Sequence, residues 1–176
     1  MLEGERTAGP GHVFAEGHQE RPNERRDIQR AINLWQKHAS EDGGPPLLAT
    51  FDFAPMRGDW GHRFLICSEP SANRAAFVIY GSKFAQLLGL PARVTISTPL
   101  IHQLPERYRP VFVEGCSKAI AEPAPARFSG SVSHDFKAEL YRAVFLPIRL
   151  HPNWSKRLIF GSFNSKTVLS VDRIAP

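Results

Sequence analysis

The stretch Ala138-Glu139-Leu140-Tyr141-Arg142-Ala143-Val144-Phe145-Leu146-Pro147-Ile148-Arg149-Leu150 reads as one long strand. Leu140, Val144, Leu146 and Ile148 alternate with Tyr141, Ala143 and Phe145. Successive strand side chains point to opposite faces, so this pattern makes both faces of a sheet apolar near its centre. Each face then needs a cover. The flanking segments 126–133 and 156–168 have strand character too, and they are set off by His134-Asp135-Phe136 and by His151-Pro152-Asn153-Trp154. The last third is therefore predicted to be a three-stranded antiparallel meander.

Upstream, residues 63–68 and 74–80 are short apolar runs separated by Glu69-Pro70-Ser71-Ala72-Asn73, which predicts a hairpin. After Gly81, Phe84, Leu87 and Leu88 share one helical face over 82–88, with Ser82 as the expected N-cap and Gly89 as a left-handed stop. Residues 91–103 have no sustained period and are assigned to a loop with one irregular turn. From Glu106 to Ala121 a longer helix is expected, with Tyr108, Phe112, Cys116 and Ile120 along one edge and Pro110 in its first turn. Nearer the start, Ile28, Ala31, Ile32 and Trp35 fall at i, i+3, i+4 and i+7, the stripe of an amphipathic helix ending near His38. A packing face is the natural reading, in cis or across a dimer. The order of elements predicts an α+β domain: a five-stranded antiparallel sheet, a helical insert on one face and the N-terminal helix available for the other.

Residues 1–22 offer little to bury and are expected to form a flexible arm, 23–45 the flanking helix and a Gly-Pro linker, and 46–176 the domain. The formal net charge is +5, yet residues 1–38 hold equal numbers of acids and bases, and the remaining excess is dispersed. A nucleic-acid surface usually shows a stripe or cluster of bases, so no nucleic-acid partner is expected. The start lacks a signal-peptide pattern and there is no long apolar run, which predicts a cytoplasmic chain without a membrane partner. Two cysteines, Cys67 and Cys116, without a C-x-x-C pair suggest neither a disulfide framework nor a zinc site.

Several short words at the joints strengthen this outline: Leu34-Trp35, Phe51-Asp52 with Trp60, Tyr80-Gly81-Ser82, Leu87-Leu88-Gly89, Leu104-Pro105-Glu106-Arg107-Tyr108 and Leu146-Pro147-Ile148. With the element order over about 34–168, they resemble bacterial stand-alone proteins of the PAS domain superfamily. The resemblance implies a PAS-like fold and a sensory or regulatory module in signal transduction. Such a module binds a small ligand or a signalling-protein partner, is not an enzyme, and in this superfamily often dimerises through a flanking helix. One departure is Arg93-Val94-Thr95, where the family often repeats a glycine, so the loop over the usual pocket is expected to differ.

A sheet under a helical insert makes a concavity, and its candidate lining is Phe77, Tyr80, Phe112, Cys116, Phe128, Tyr141, Arg142 and Phe163. The plain account is that the aromatics fill the core, which is their commonest fate. Phe77 and Tyr80 should point to opposite faces unless a bulge intervenes, and Tyr141 and Arg142 are rivals for the same reason. Arg142 is the awkward residue. An inward Arg142 would favour a carboxylate or phosphate ligand, whereas an outward one would pair with a surface acid. No cofactor is required by the sequence, and no metal site is expected. His102, just before the long helix, is a weak candidate haem ligand by resemblance, and neither cysteine has the Asn-Cys-Arg setting of the photosensory flavin branch.

Ser133-His134-Asp135 is too contiguous to form a catalytic triad. No nucleophile elbow, phosphate-cradling loop or paired-histidine helix is present. The competing expectation is a small cone-shaped α+β enzyme, isomerase- or hydrolase-like, using His102 or Asp52 as acid or base in the same concavity.

Overall fold

A computed structural model of the chain describes residues 21–169, except 40, 42, 55–57, 70–71 and 152–155. The expected arm therefore lies outside the described residues, save for Arg21 and Pro22, which already belong to helix α1 (Arg21–Lys37). The turn at 152–154 lies outside them too.

Five strands, β1 (Arg63–Ser68), β2 (Ala76–Tyr80), β3 (Ala126–His134), β4 (Lys137–Arg149) and β5 (Arg157–Leu169), form one antiparallel sheet in the order β2-β1-β5-β4-β3. Between β2 and β3 the chain forms α2 (Ser82–Leu88), α3 (Leu100–Gln103), a 3-10 turn at Glu106–Tyr108 and α4 (Arg109–Ala121). The fold is thus α+β, with the two-strand, helical-insert, three-strand order expected from the sequence.

The turn between β3 and β4 sets the register of the long strands. His134 pairs with Lys137, leaving Asp135 (φ +48°) and Phe136 (φ +62°) as a two-residue connection with both residues left-handed. Such a turn matches the right-handed twist of the strands it joins. It places Ser129 opposite Arg142 and Phe128 opposite Ala143. Across β4 and β5, Arg142 then faces Asn164, Val144 faces Ser162 and Leu146 faces Phe160.

Alternation along these strands yields two cores. On the inner face Phe64, Ile66, Phe145, Ile159 and Phe163 pack with Phe77, Phe84, Tyr108, Phe112 and Cys116. On the outer face Leu65, Val144, Leu146, Ile148, Leu158 and Phe160 pack with Ala31, Ile32 and Trp35 of α1 and with Phe51. The stripe of α1 is therefore buried in cis. Trp35 Nε1 donates to the Pro147 carbonyl at 2.7 Å, and Asp27 accepts from Arg63 at 2.6 Å and from the Ser162 hydroxyl at 2.7 Å. The linker is also held, since Arg149 donates its backbone N–H to Pro46 and its Nε to Pro45.

Three local expectations need correction. Ser82 is the first residue of α2 and not its cap. Gly81 occupies the cap position without a side chain, and Asp59 bonds the Ser82 N–H at 2.8 Å from a distance in sequence. Gly81 is required there because a Cβ would lie 2.2 Å from the Gly61 nitrogen, a backbone atom that cannot turn aside. The longer helix begins at Arg109, because Glu106–Tyr108 winds as a 3-10 turn before Pro110. Strand β2 begins at Ala76, since Ala72–Arg74 forms a 3-10 turn and the Ala75 carbonyl accepts from Leu100 N–H of α3. Gly89 does end α2 in the left-handed conformation, with φ +64°.

Candidate functional site

The inner concavity is built where α2, α3 and α4 lie over β1, β4 and β5. Phe77, Phe112, Cys116 and Phe163 are brought together there and are fully buried. Their rings contact one another edge to face or tilted: Phe112 and Phe163 are 5.4 Å apart between centroids, Phe77 and Phe84 5.5 Å, and Tyr108 and Phe163 4.9 Å. These are ordinary spacings for packed aromatic pairs, so the rings themselves occupy much of the space under the insert.

Phe77 and Tyr80 share this face, although simple alternation separates them. The register of β2 against β1 shifts between Leu65 and Ile66: Leu65 pairs with Ile79 and Ile66 with Phe77, leaving Val78 as an extra residue. This bulge brings both rings inward, 5.5 Å apart, and leaves Val78 and Ile79 exposed. The Tyr80 hydroxyl donates to the Pro91 carbonyl at 2.6 Å. Gln103 Nε2 donates to the Thr98 carbonyl at 2.7 Å. Together they pin both ends of the loop at 91–99.

Tyr141 also faces inward, with its ring nearly parallel to that of Phe163 at 6.3 Å. Phe128 is half-buried, its ring edge-on to Phe145 and beneath Lys118. Next to Tyr141, the buried Tyr108 hydroxyl hydrogen-bonds Glu139, which also accepts from Arg107 Nε at 3.1 Å. Burial, with the Glu139 bond and charge beside it, raises the Tyr108 pKa. This cluster joins the insert to β4 and holds the phenol protonated.

Burial pushes the Cys116 thiol up to about 12, which removes it as a thiolate nucleophile near neutral pH. Cys67 stands on the outer face and is only partly buried. Its thiol is raised as well, by burial, which outweighs the lowering by Lys156, with Glu69 adding a smaller rise. His102 is exposed on α3. Among the described residues no group of three His, Cys, Asp or Glu side chains could hold a metal ion.

Arg142 is not in the inner concavity. It follows the parity of Val144 and Leu146 and so stands on the outer face. There it lines a groove of about 440 Å³ with Arg127, Ser129 and, from α1, Ile28 and Gln29. A second cleft, of about 400 Å³, runs beside Asp59, Tyr80, Ser82, Gln86 and Leu90. Sequence reasoning missed Arg127, Ser129 and Asn164 as neighbours of Arg142, and Glu139 as the partner of Tyr108. The available signal was parity along β3 and β5, which becomes usable only once the turn at 135–136 fixes the register.

Comparison with models of known protein families gives no match, and comparison with curated proteins gives none either. Among the described residues no helix is long and apolar enough to cross a membrane.

Proposed function

We propose that the chain is a PAS-type sensory or regulatory module of bacterial signal transduction, one that binds a small ligand or a protein partner and does not catalyse a reaction. The observation that carries this reading is architectural. A five-stranded antiparallel sheet has its helical insert between β2 and β3 on one face and an amphipathic N-terminal helix on the other. This arrangement joins with the short sequence words at its junctions in supporting the resemblance. The dense ring packing under the insert favours signalling through surface contact over an interior chromophore. A homodimer and a cytoplasmic location complete the proposal.

The enzyme alternative gains no support from the placement of its acid–base candidates. His102 is exposed on the insert side. Asp52 is exposed on the opposite side of the sheet, beside Phe51 of the outer core, and accepts from the Ala54 N–H at 2.8 Å. Native mass spectrometry with a visible absorption spectrum tests the proposal. A colourless dimer, or one carrying a stoichiometric small ligand, is expected. A monomer with no bound mass that turns over small-molecule substrates would overturn it.

A further inference from the structure

We infer that the outer groove beside the N-terminal half of α1 is an oxyanion site, built to take a carboxylate or phosphate group of a small molecule between Arg127 and Arg142. The inference rests on what the outer face holds and what it lacks. Ser129 is the cross-strand partner of Arg142, which makes Arg127, two residues along β3, a diagonal neighbour within reach of it. Two guanidinium groups converging on one groove repel unless an anion lies between them, and their planar N–H forks suit a carboxylate or phosphate.

The sheet supplies no such anion. On this face β3 contributes Arg127, Ser129, Ser131 and Ser133, β4 contributes Ala138, Leu140 and Arg142 before the apolar run, and β5 contributes Ser162, Asn164 and Lys166. None is acidic. Asp27 of α1 does face the sheet, but it is already engaged by Arg63 and Ser162.

Asn164 continues the polar patch behind the groove wall. It stands directly across from Arg142 on the same face, is only 3% exposed, and its Nδ2 has no hydrogen-bond partner. Asn164 does not itself line the groove, so the seated anion is held by Arg127, Arg142 and Ser129, and Asn164 backs the Arg142 side of the site. Ser129 adds a hydroxyl at the groove wall. A volume of about 440 Å³ admits a small organic acid or phosphate ester. The site depends only on the register of β3, β4 and β5 and on the position of α1, so it holds whether or not the domain signals.

Two-dimensional amide NMR of the full chain, titrated separately with inorganic phosphate and with glutarate, tests the inference and separates the two anion classes. Saturable shifts centred on Arg127, Ser129 and Arg142 are expected for at least one probe. Arg142→Met and Arg127→Met should each weaken binding by about tenfold or more, while the exposed-loop control Arg93→Met leaves it unchanged. Thermal melts of each variant establish that the fold is retained. Equal weakening by Arg93→Met, or shifts scattered over all basic residues, would overturn the site. So would the absence of saturable shifts with either probe.

Discussion

Replacing Gly115 by alanine sets two effects of opposite sign against each other. Gly115 sits inside α4, where alanine is preferred over glycine by about 1 kcal/mol on helix propensity alone. A Cβ at this position would lie 2.3 Å from Phe145 Cε2, far inside van der Waals contact. The Phe145 ring has little freedom to move, being fully buried with Phe64 and Phe112 each 5.4 Å away and Phe128 5.6 Å away. Overpacking a closed core costs about 1–3 kcal/mol, and so deep an overlap belongs in the upper half of that range. The balance is a net destabilisation of about 1–2 kcal/mol, or about 2–8 °C in Tm for a domain of this size. Urea and thermal unfolding measure it. Shortening the ring in the Gly115→Ala/Phe145→Leu double variant should recover about 1 kcal/mol relative to the sum of the single changes. A Gly115→Ala protein more stable than the parent would refute the close approach of α4 to β4.

Trp35→Phe removes the donor to the buried Pro147 carbonyl and should cost about 1–3 kcal/mol in urea unfolding, whereas an unchanged midpoint would mean that α1 does not dock through this bond. Asp59 is held below its usual pKa by the Ser82 side-chain and backbone bonds and then by the Gly61 N–H. A carboxylate depressed in the folded state adds stability above its unfolded pKa and loses it as pH falls through the folded value. The stability gap between the parent and Asp59→Asn should therefore be present at neutral pH and close as acidification carries the pH down through and below the ordinary carboxylate range, and a gap constant with pH would contradict the cap. With a disulfide-exchange thiol reagent at about pH 8, the partly buried Cys67 should react first and Cys116 only on unfolding; fast labelling of both in the native protein would show that the inner core opens readily.

Much of the fold was legible because the long strands announce themselves. The alternation over 138–150 requires two covered faces, and the stripe Ile28, Ala31, Ile32 and Trp35 is the segment able to cover the second. What the sequence left hidden is register and local irregularity. The bulge at Val78 reverses the parity of Tyr80, and no residue type at 76–80 marks it. The turn at 135–136 contains no glycine, so the left-handed pair that sets Ser129 opposite Arg142 carries no signature. Asp59 caps α2 from 23 positions away, which no local capping pattern can disclose. Arg142 stood out by its chemistry, but its face depended on that same register, and with it the choice between an inner and an outer anion.

The two faces of the sheet are closed in different ways, and this bears on where a ligand could act. The inner face is closed by interlocking rings whose displacement would cost contacts throughout the core, so a ligand entering there must replace aromatic surface with equally apolar surface. The outer face is divided. Its apolar half, with Leu65, Val144, Leu146, Ile148 and Phe160, is sealed by Ile32 and Trp35, and burial of each large side chain is worth about 1.5–3 kcal/mol. Its polar half, from Ser162 and Asn164 across to Arg142 and Ser129, meets α1 through the Asp27–Ser162 bond at one end and is bordered by Ile28 at the other. An anion bound in that half touches the helix edge and the sheet at once without disturbing the apolar seal. Binding there would stabilise the docked position of α1 by its own differential affinity for that position, which is the only way a ligand can shift such an equilibrium.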